Sequence, residues 1–178
     1  MGILILKKIL AIKYIRGGFI LLSFYLSSSI YASTVHDNLA KKFPGCIVTE
    51  SVLFLATEQV SKMNSVHKEK KTSAFYAYYE KKCLDKKTRL FVLSDEVRTL
   101  KQFVLFEVLD NRIIFIEVLK FLEPTEYKVQ PYWLEKFYSL EDLSKLKTVD
   151  GVSGATLTSN SIKYLAWLSL YLNGIIKK

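Results

Sequence analysis

The stretch KQFVLFEVLDNRIIFIEVLKF, residues 101–121, limits the fold more than any other part of the chain. Two runs of apolar, β-branched and aromatic residues flank Asp110-Asn111, a pair that tolerates the left-handed backbone of a two-residue hairpin turn. A hairpin wet on one side would alternate apolar and polar residues. Here Phe103, Leu105 and Leu109 fall on one face and Val104, Phe106 and Val108 on the other, so both faces need cover. The expectation is an α+β domain: an antiparallel sheet with packed helices on one side and a flat ligand against part of the other.

The flanking sequence supplies those helices. In SNSIKYLAWLSLYLNGIIKK, apolar residues circle most of a helical perimeter, which predicts burial. Thr158 or Ser159 is the expected N-cap, and Gly174 with the terminal lysines suits the other end. At about sixteen residues this helix is short of the ~20 that span a bilayer. PYWLEKF predicts a short amphipathic helix with Trp133, Leu134 and Phe137 inward, after Pro124 has broken the preceding strand. STVHDNLAKKF predicts a helix on Val35, Leu39 and Phe43, ended by Pro44-Gly45. CIVTESVLFLAT and SAFYAYYE are strand-like. The Lys-rich stretch SKMNSVHKEKK suits a solvated loop and KKCLDKKTR a solvated turn, with a docking face for an acidic partner or lipid head groups as the rarer use of such charge.

Residues 1–32 carry four cations (Lys7, Lys8, Lys13, Arg16) and no acid, then an apolar run from Phe19 to Leu26 and a small-residue end at Ile30-Tyr31-Ala32. This is the layout of a secretory signal. A retained membrane anchor is the alternative, because the basic region is long and itself apolar. Either route exports the remainder, 33–178, as a single domain. Removing those four cations leaves 22 of the 26 Lys and Arg against 17 Asp and Glu, about +5. That balance is too weak to argue for nucleic acid. Cys46 and Cys83 are an even pair in an exported chain: they suit either a disulfide or two buried thiols. No CxxC, CxxCH or HExxH occurs, so a metal or haem site has no support.

One segment clears unusual space. TVDGVSGATLTSNS, residues 148–161, packs Gly151, Ser153, Gly154, Ala155, Thr156 and Thr158 together just before the long apolar helix. Free amides at a helix N-terminus, beside flexible residues that let a ligand approach, make an anion site. Simple helix capping is the plainer use of such a loop.

The same residues resemble a known motif. Asp150-Gly151-Val152-Ser153-Gly154-Ala155-Thr156-Leu157-Thr158 is similar to the flavinylation motif of the FMN-binding domain family. That family includes the C subunit of the sodium-pumping NADH:quinone reductase, the G subunit of the Rnf complex, and small exported flavoproteins. The likeness spans roughly 94–165 and takes in the hairpin, the Glu-Pro segment and WLEKF. In the family, the Thr that closes the Ser/Thr-Gly-Ala-Thr core carries FMN through a phosphoester made by a separate flavin transferase. The resemblance therefore implies covalent FMN on Thr156, with Ser153, Gly154, Ala155, Leu157 and Thr158 around the phosphate and Asp150 at the motif's acidic position.

An isoalloxazine ring needs an apolar slot. Trp133, Tyr127 and Leu157 are candidate walls, and each also suits plain core. Glu123 is a candidate acceptor for a flavin or donated hydroxyl, or else a strand-end carboxylate facing water. The function implied is an exported electron carrier or redox-complex subunit rather than a stand-alone enzyme. Its partners would be the transferase and membrane or periplasmic redox proteins, with membrane association left open. The competing readings are a binding or structural module of the same fold without flavin, and a small flavin-dependent reductase component.

Overall fold

The computed structural model describes residues 35–70, 72–138, 140 and 143–177; the proposed signal or anchor, residues 1–32, lies outside them. The chain divides between Pro44 and Gly45 into two compact units. The first contains helix α1, residues 35–42, which stops before Pro44 and Gly45 as the sequence predicts; Gly45 takes φ +80°.

The second unit, Gly45–Lys178, is a five-stranded antiparallel meander in sequence order. Its strands are β1 (Ile47–Phe54), β2 (Phe75–Cys83), β3 (Lys86–Glu96), β4 (Lys101–Leu109) and β5 (Arg112–Phe121). The expected α+β arrangement of antiparallel sheet and packed helices is present. The β4–β5 turn is Asp110-Asn111 at φ 48° and 65°, the left-handed pair that a two-residue hairpin needs. Helix α2 (Thr57–Val66) joins β1 to β2. Helix α3 (Pro131–Leu134) continues into a 3₁₀ turn, Glu135–Phe137, and buries Trp133, Leu134 and Phe137. A second 3₁₀ segment, Leu143–Thr148, leads to helix α4 (Thr156–Ile176).

The core lies between α4 and one face of the sheet. Phe91 and Leu93 on β3, Val104, Phe106 and Val108 on β4, and Ile113 and Ile116 on β5 meet Ile162, Leu165, Ala166 and Leu172 of α4. The other face is closed as well: Leu90 and Leu105 are wholly buried there, with the ion pair Lys81–Glu107 at 2.7 Å. Burial on both sides of β4 is what its unbroken apolar run requires. Cys46 and Cys83 are joined as a disulfide, tying the start of β1 to the end of β2. Closing a loop of that separation, 37 residues, restricts the unfolded chain by about 4 kcal/mol in the chain-entropy model.

KKCLDKKTR turns in solvent as expected, at exposed Leu84 (φ 52°) and Asp85, with its two ends drawn into β2 and β3. Two local expectations change. SKMNSVHKEKK falls largely within α2, whose one buried residue is Met63. The terminal helix is longer than expected, 21 residues, and starts at Thr156 with Ala155 as its N-cap. Neither Thr158 nor Ser159 caps it, because both hydroxyls are committed elsewhere, as described below. No helix among the described residues is long and apolar enough to cross a membrane.

Candidate functional site

The loop 149–155 is fixed from beneath. Trp133 is buried with its ring edge-on to Phe137 (5.1 Å), and its Nε1–H donates to the Asp150 carbonyl at 3.0 Å. Val149 is buried beside it. The backbone then turns tightly: Ala155 N–H donates to the Val152 carbonyl (3.0 Å), across Gly154 at φ +78°. That conformation favours glycine. A Cβ placed at Gly154 would meet nothing within 4 Å, so the glycine serves the backbone angle and the space above it is open.

The helix begins with its front uncovered. The first bond of the α4 ladder runs from Ser159 N–H to the Ala155 carbonyl (2.9 Å). The amides of Thr156, Leu157 and Thr158 therefore precede the ladder. Ser159 is buried; its hydroxyl donates back to the Thr156 carbonyl (2.9 Å) and accepts from Val152 N–H (3.4 Å). Thr158 is buried and donates to the Tyr127 carbonyl at 2.6 Å. Thr156 is exposed, and its hydroxyl makes only a long contact to the Val152 carbonyl (3.4 Å). Of the two threonines in the motif, one hydroxyl is used by the fold and the other is offered to solvent.

A pocket of about 240 Å³ opens here, lined by Arg98, Tyr127 and the segment Gly154–Thr158. Arg98 is the residue that sequence reasoning missed. It sits in the β3–β4 turn with its guanidinium 3.8 Å over the Tyr127 ring. Glu123 explains why that turn is rigid. One carboxylate oxygen accepts the backbone N–H groups of Arg98 (3.2 Å), Thr99 (2.9 Å) and Leu100 (2.9 Å). These bonds, Thr99's foremost, hold the Glu123 carboxyl below its usual range. Glu123 thus shapes the wall that carries Arg98. No pattern local to Arg98 announces this, since its anchor lies 25 residues away.

The other expected residues take distinct places. Ser153, Asp150 and Leu157 are exposed, and Leu157 lines the pocket. Tyr127 is half-buried, and its ring lies under Arg98. Trp133 is not part of the pocket lining; it supports the loop from below.

The donor set suits a phosphate group: one guanidinium, three amides at a helix N-terminus, and main chain without bulky side chains. The pocket is too small for a fused three-ring system as well, so FMN bound here would have its ring elsewhere. No family model, curated protein or solved structure matches this chain.

Proposed function

We propose that this protein is an exported electron-transfer flavoprotein carrying FMN in phosphoester linkage to Thr156. One observation carries the reading. The Thr156 hydroxyl is exposed at the first residue of α4, a helix with a largely buried middle, and Arg98 lies across the same pocket. Attachment replaces the Thr156 O–H bond with an O–P bond: an activated flavin nucleotide gives up its leaving group, and the hydroxyl proton departs to the base of a flavin transferase. A threonine hydroxyl has no useful acidity of its own, so the loop's part is access, which Gly151, Gly154 and Ala155 provide. Arg98 and the amides of Thr156–Thr158 would hold the remaining phosphate oxygens.

Bound flavin supplies reversible one- or two-electron transfer, here between a membrane-bound donor and an exported redox acceptor. A covalent link prevents loss of the cofactor where no pool replaces it. Export is supported by the layout of residues 1–32 and by the Cys46–Cys83 disulfide, which belongs to an oxidising compartment.

The test is co-expression with a flavin transferase, followed by intact mass and in-gel fluorescence. The unmutated protein should gain one FMN. Thr156→Ala should fold and gain none, and Thr158→Ala should keep the flavin. FMN on Thr156→Ala protein would overturn the acceptor assignment. No FMN on the unmutated protein would leave a module of this fold without flavin.

A further inference from the structure

One face of α4 starts at exposed Thr156 and Asn160 and continues through half-buried Lys163 and Trp167. At 3.6 residues per turn these positions lie within about 60° of arc, so they share one face. One to three turns beyond Thr156, that face enters a second and larger pocket of about 490 Å³. It runs between α4, the end of α2 and the Leu143–Thr148 segment, and is lined by His67, Lys70, Lys147, Lys163, Tyr164 and Trp167. Its volume falls within the range of small-molecule sites.

The walls are aromatic and the rim is cationic. His67 stands edge-on to both Tyr164 (5.0 Å) and Trp167 (4.4 Å), and Trp167 stacks on Tyr171 at 13°. Behind the pocket is a fixed polar chain: Lys70 pairs with Asp95, Ser161 donates to the same carboxylate oxygen (2.6 Å), and Gln102 donates to Ser161 (2.8 Å). Asp95 offsets Lys70, and the remaining rim charges among the described residues are Lys147 and Lys163. Burial and then the charges of Lys70 and Lys147 lower the His67 pKa and hold its imidazole neutral. Its Nε2 is buried without a hydrogen-bond partner in the structure. A buried polar atom left this way usually marks a missing partner.

Flat aromatic walls, two cations without an ion pair among the described residues and an unpartnered imidazole nitrogen suit a planar heteroaromatic that gains negative charge. We infer that this pocket seats the isoalloxazine ring of the flavin attached at Thr156, its reduced form favoured by Lys147 and Lys163. The inference rests on the phosphoester reading and adds the position of the ring. The rise from Thr156 to Lys163 is roughly 11 Å at 1.5 Å per residue, which a ribityl phosphate arm and ring together cover.

The experiment uses the full chain loaded with FMN by a transferase, with loading checked by mass for each variant. Trp167→Leu should raise flavin emission several-fold by removing a stacked quencher. Lys163→Glu should lower the flavin midpoint potential by withdrawing a cation and adding an anion beside the reduced ring. Lys62→Glu, a change of equal charge on α2 outside the pocket, should shift the potential much less. Fully loaded Trp167→Leu and Lys163→Glu proteins whose emission and potential match the unmutated protein would overturn the inference alone. An unmutated protein that gains no FMN removes the phosphoester reading and this inference with it.

Discussion

The two ends of α4 are held in opposite ways. At the C-terminal end the helix's own side chains close it down. Asn173 is buried, its carboxamide oxygen accepting from Arg89 (2.9 Å) and its Nδ2 reaching Asn111 (3.4 Å), while Lys177 pairs with Asp110 (3.3 Å). At the N-terminal end the supports come from behind: Trp133 under Asp150, Tyr127 behind Thr158, and Ser159 bonding within its own turn. The front, with Thr156 and three amides outside the helical ladder, is left open. One helix thus separates the two tasks. One end fixes the β4–β5 turn and braces β3, and the other presents donors in a fixed geometry without using them.

Substitutions at each end test that division. The largest effect should come from Trp133→Ala, which removes a buried indole and its hydrogen bond to the Asp150 carbonyl; such losses cost about 3–5 kcal/mol. Urea unfolding should show it, together with faster amide exchange across Val152–Ala155. A loss below about 1 kcal/mol would mean the loop stands without its floor. Asn173→Ala removes the partner of half-buried Arg89 and should cost about 1–3 kcal/mol. FMN loading should be unchanged, because the damage is confined to the closed end; reduced loading would show that the two ends are coupled.

Gly154→Ala should cost about 1–2 kcal/mol from the left-handed backbone alone, since nothing blocks the added methyl. The smallest effect is one of pH. The Glu123 carboxyl is depressed in the folded state, so its contribution is complete above the ordinary value of 4.5 and is lost as pH falls through the lower folded value. Glu123→Gln should therefore flatten the acid limb of a stability–pH profile while leaving its neutral-pH shape intact. An acid limb as steep as before would assign that limb to other carboxylates.

The parts legible in the sequence were those whose signals are local. Asp110-Asn111 names its own turn, and the spacing of Trp133, Leu134 and Phe137 names its own inward face. β3 was not legible because it opens with charge: Lys86, Lys87 and Arg89 read as wet, yet Thr88 between them is buried. Helix α2 has three apolar residues, Val60, Met63 and Val66, too short a stripe for periodicity to register, and only Met63 of them is buried. The start of α4 was misplaced because Thr158 and Ser159 have the chemistry of caps. Partners at Tyr127 and Thr156 claim both hydroxyls, and the cap falls at Ala155, three or four residues earlier. Arg98 was out of reach for a similar reason. Its position depends on a carboxylate that only the folded chain brings near, whereas the hydroxyl and small-residue pattern around Thr156 is continuous in sequence.

The Cys46–Cys83 bond bears on how copies of this protein treat one another. β1 is an edge strand, and an edge strand can slide in register or be traded to a neighbouring molecule. The disulfide sits where β1 begins, next to the Ile47–Lys82 pair, and joins it to its own partner strand. A strand fastened at that point cannot slip by a residue, nor can it leave to complete another copy's sheet. Oxidation thereby makes the pairing of β1 and β2 a private one, and keeps a concentrated population of these molecules from exchanging strands.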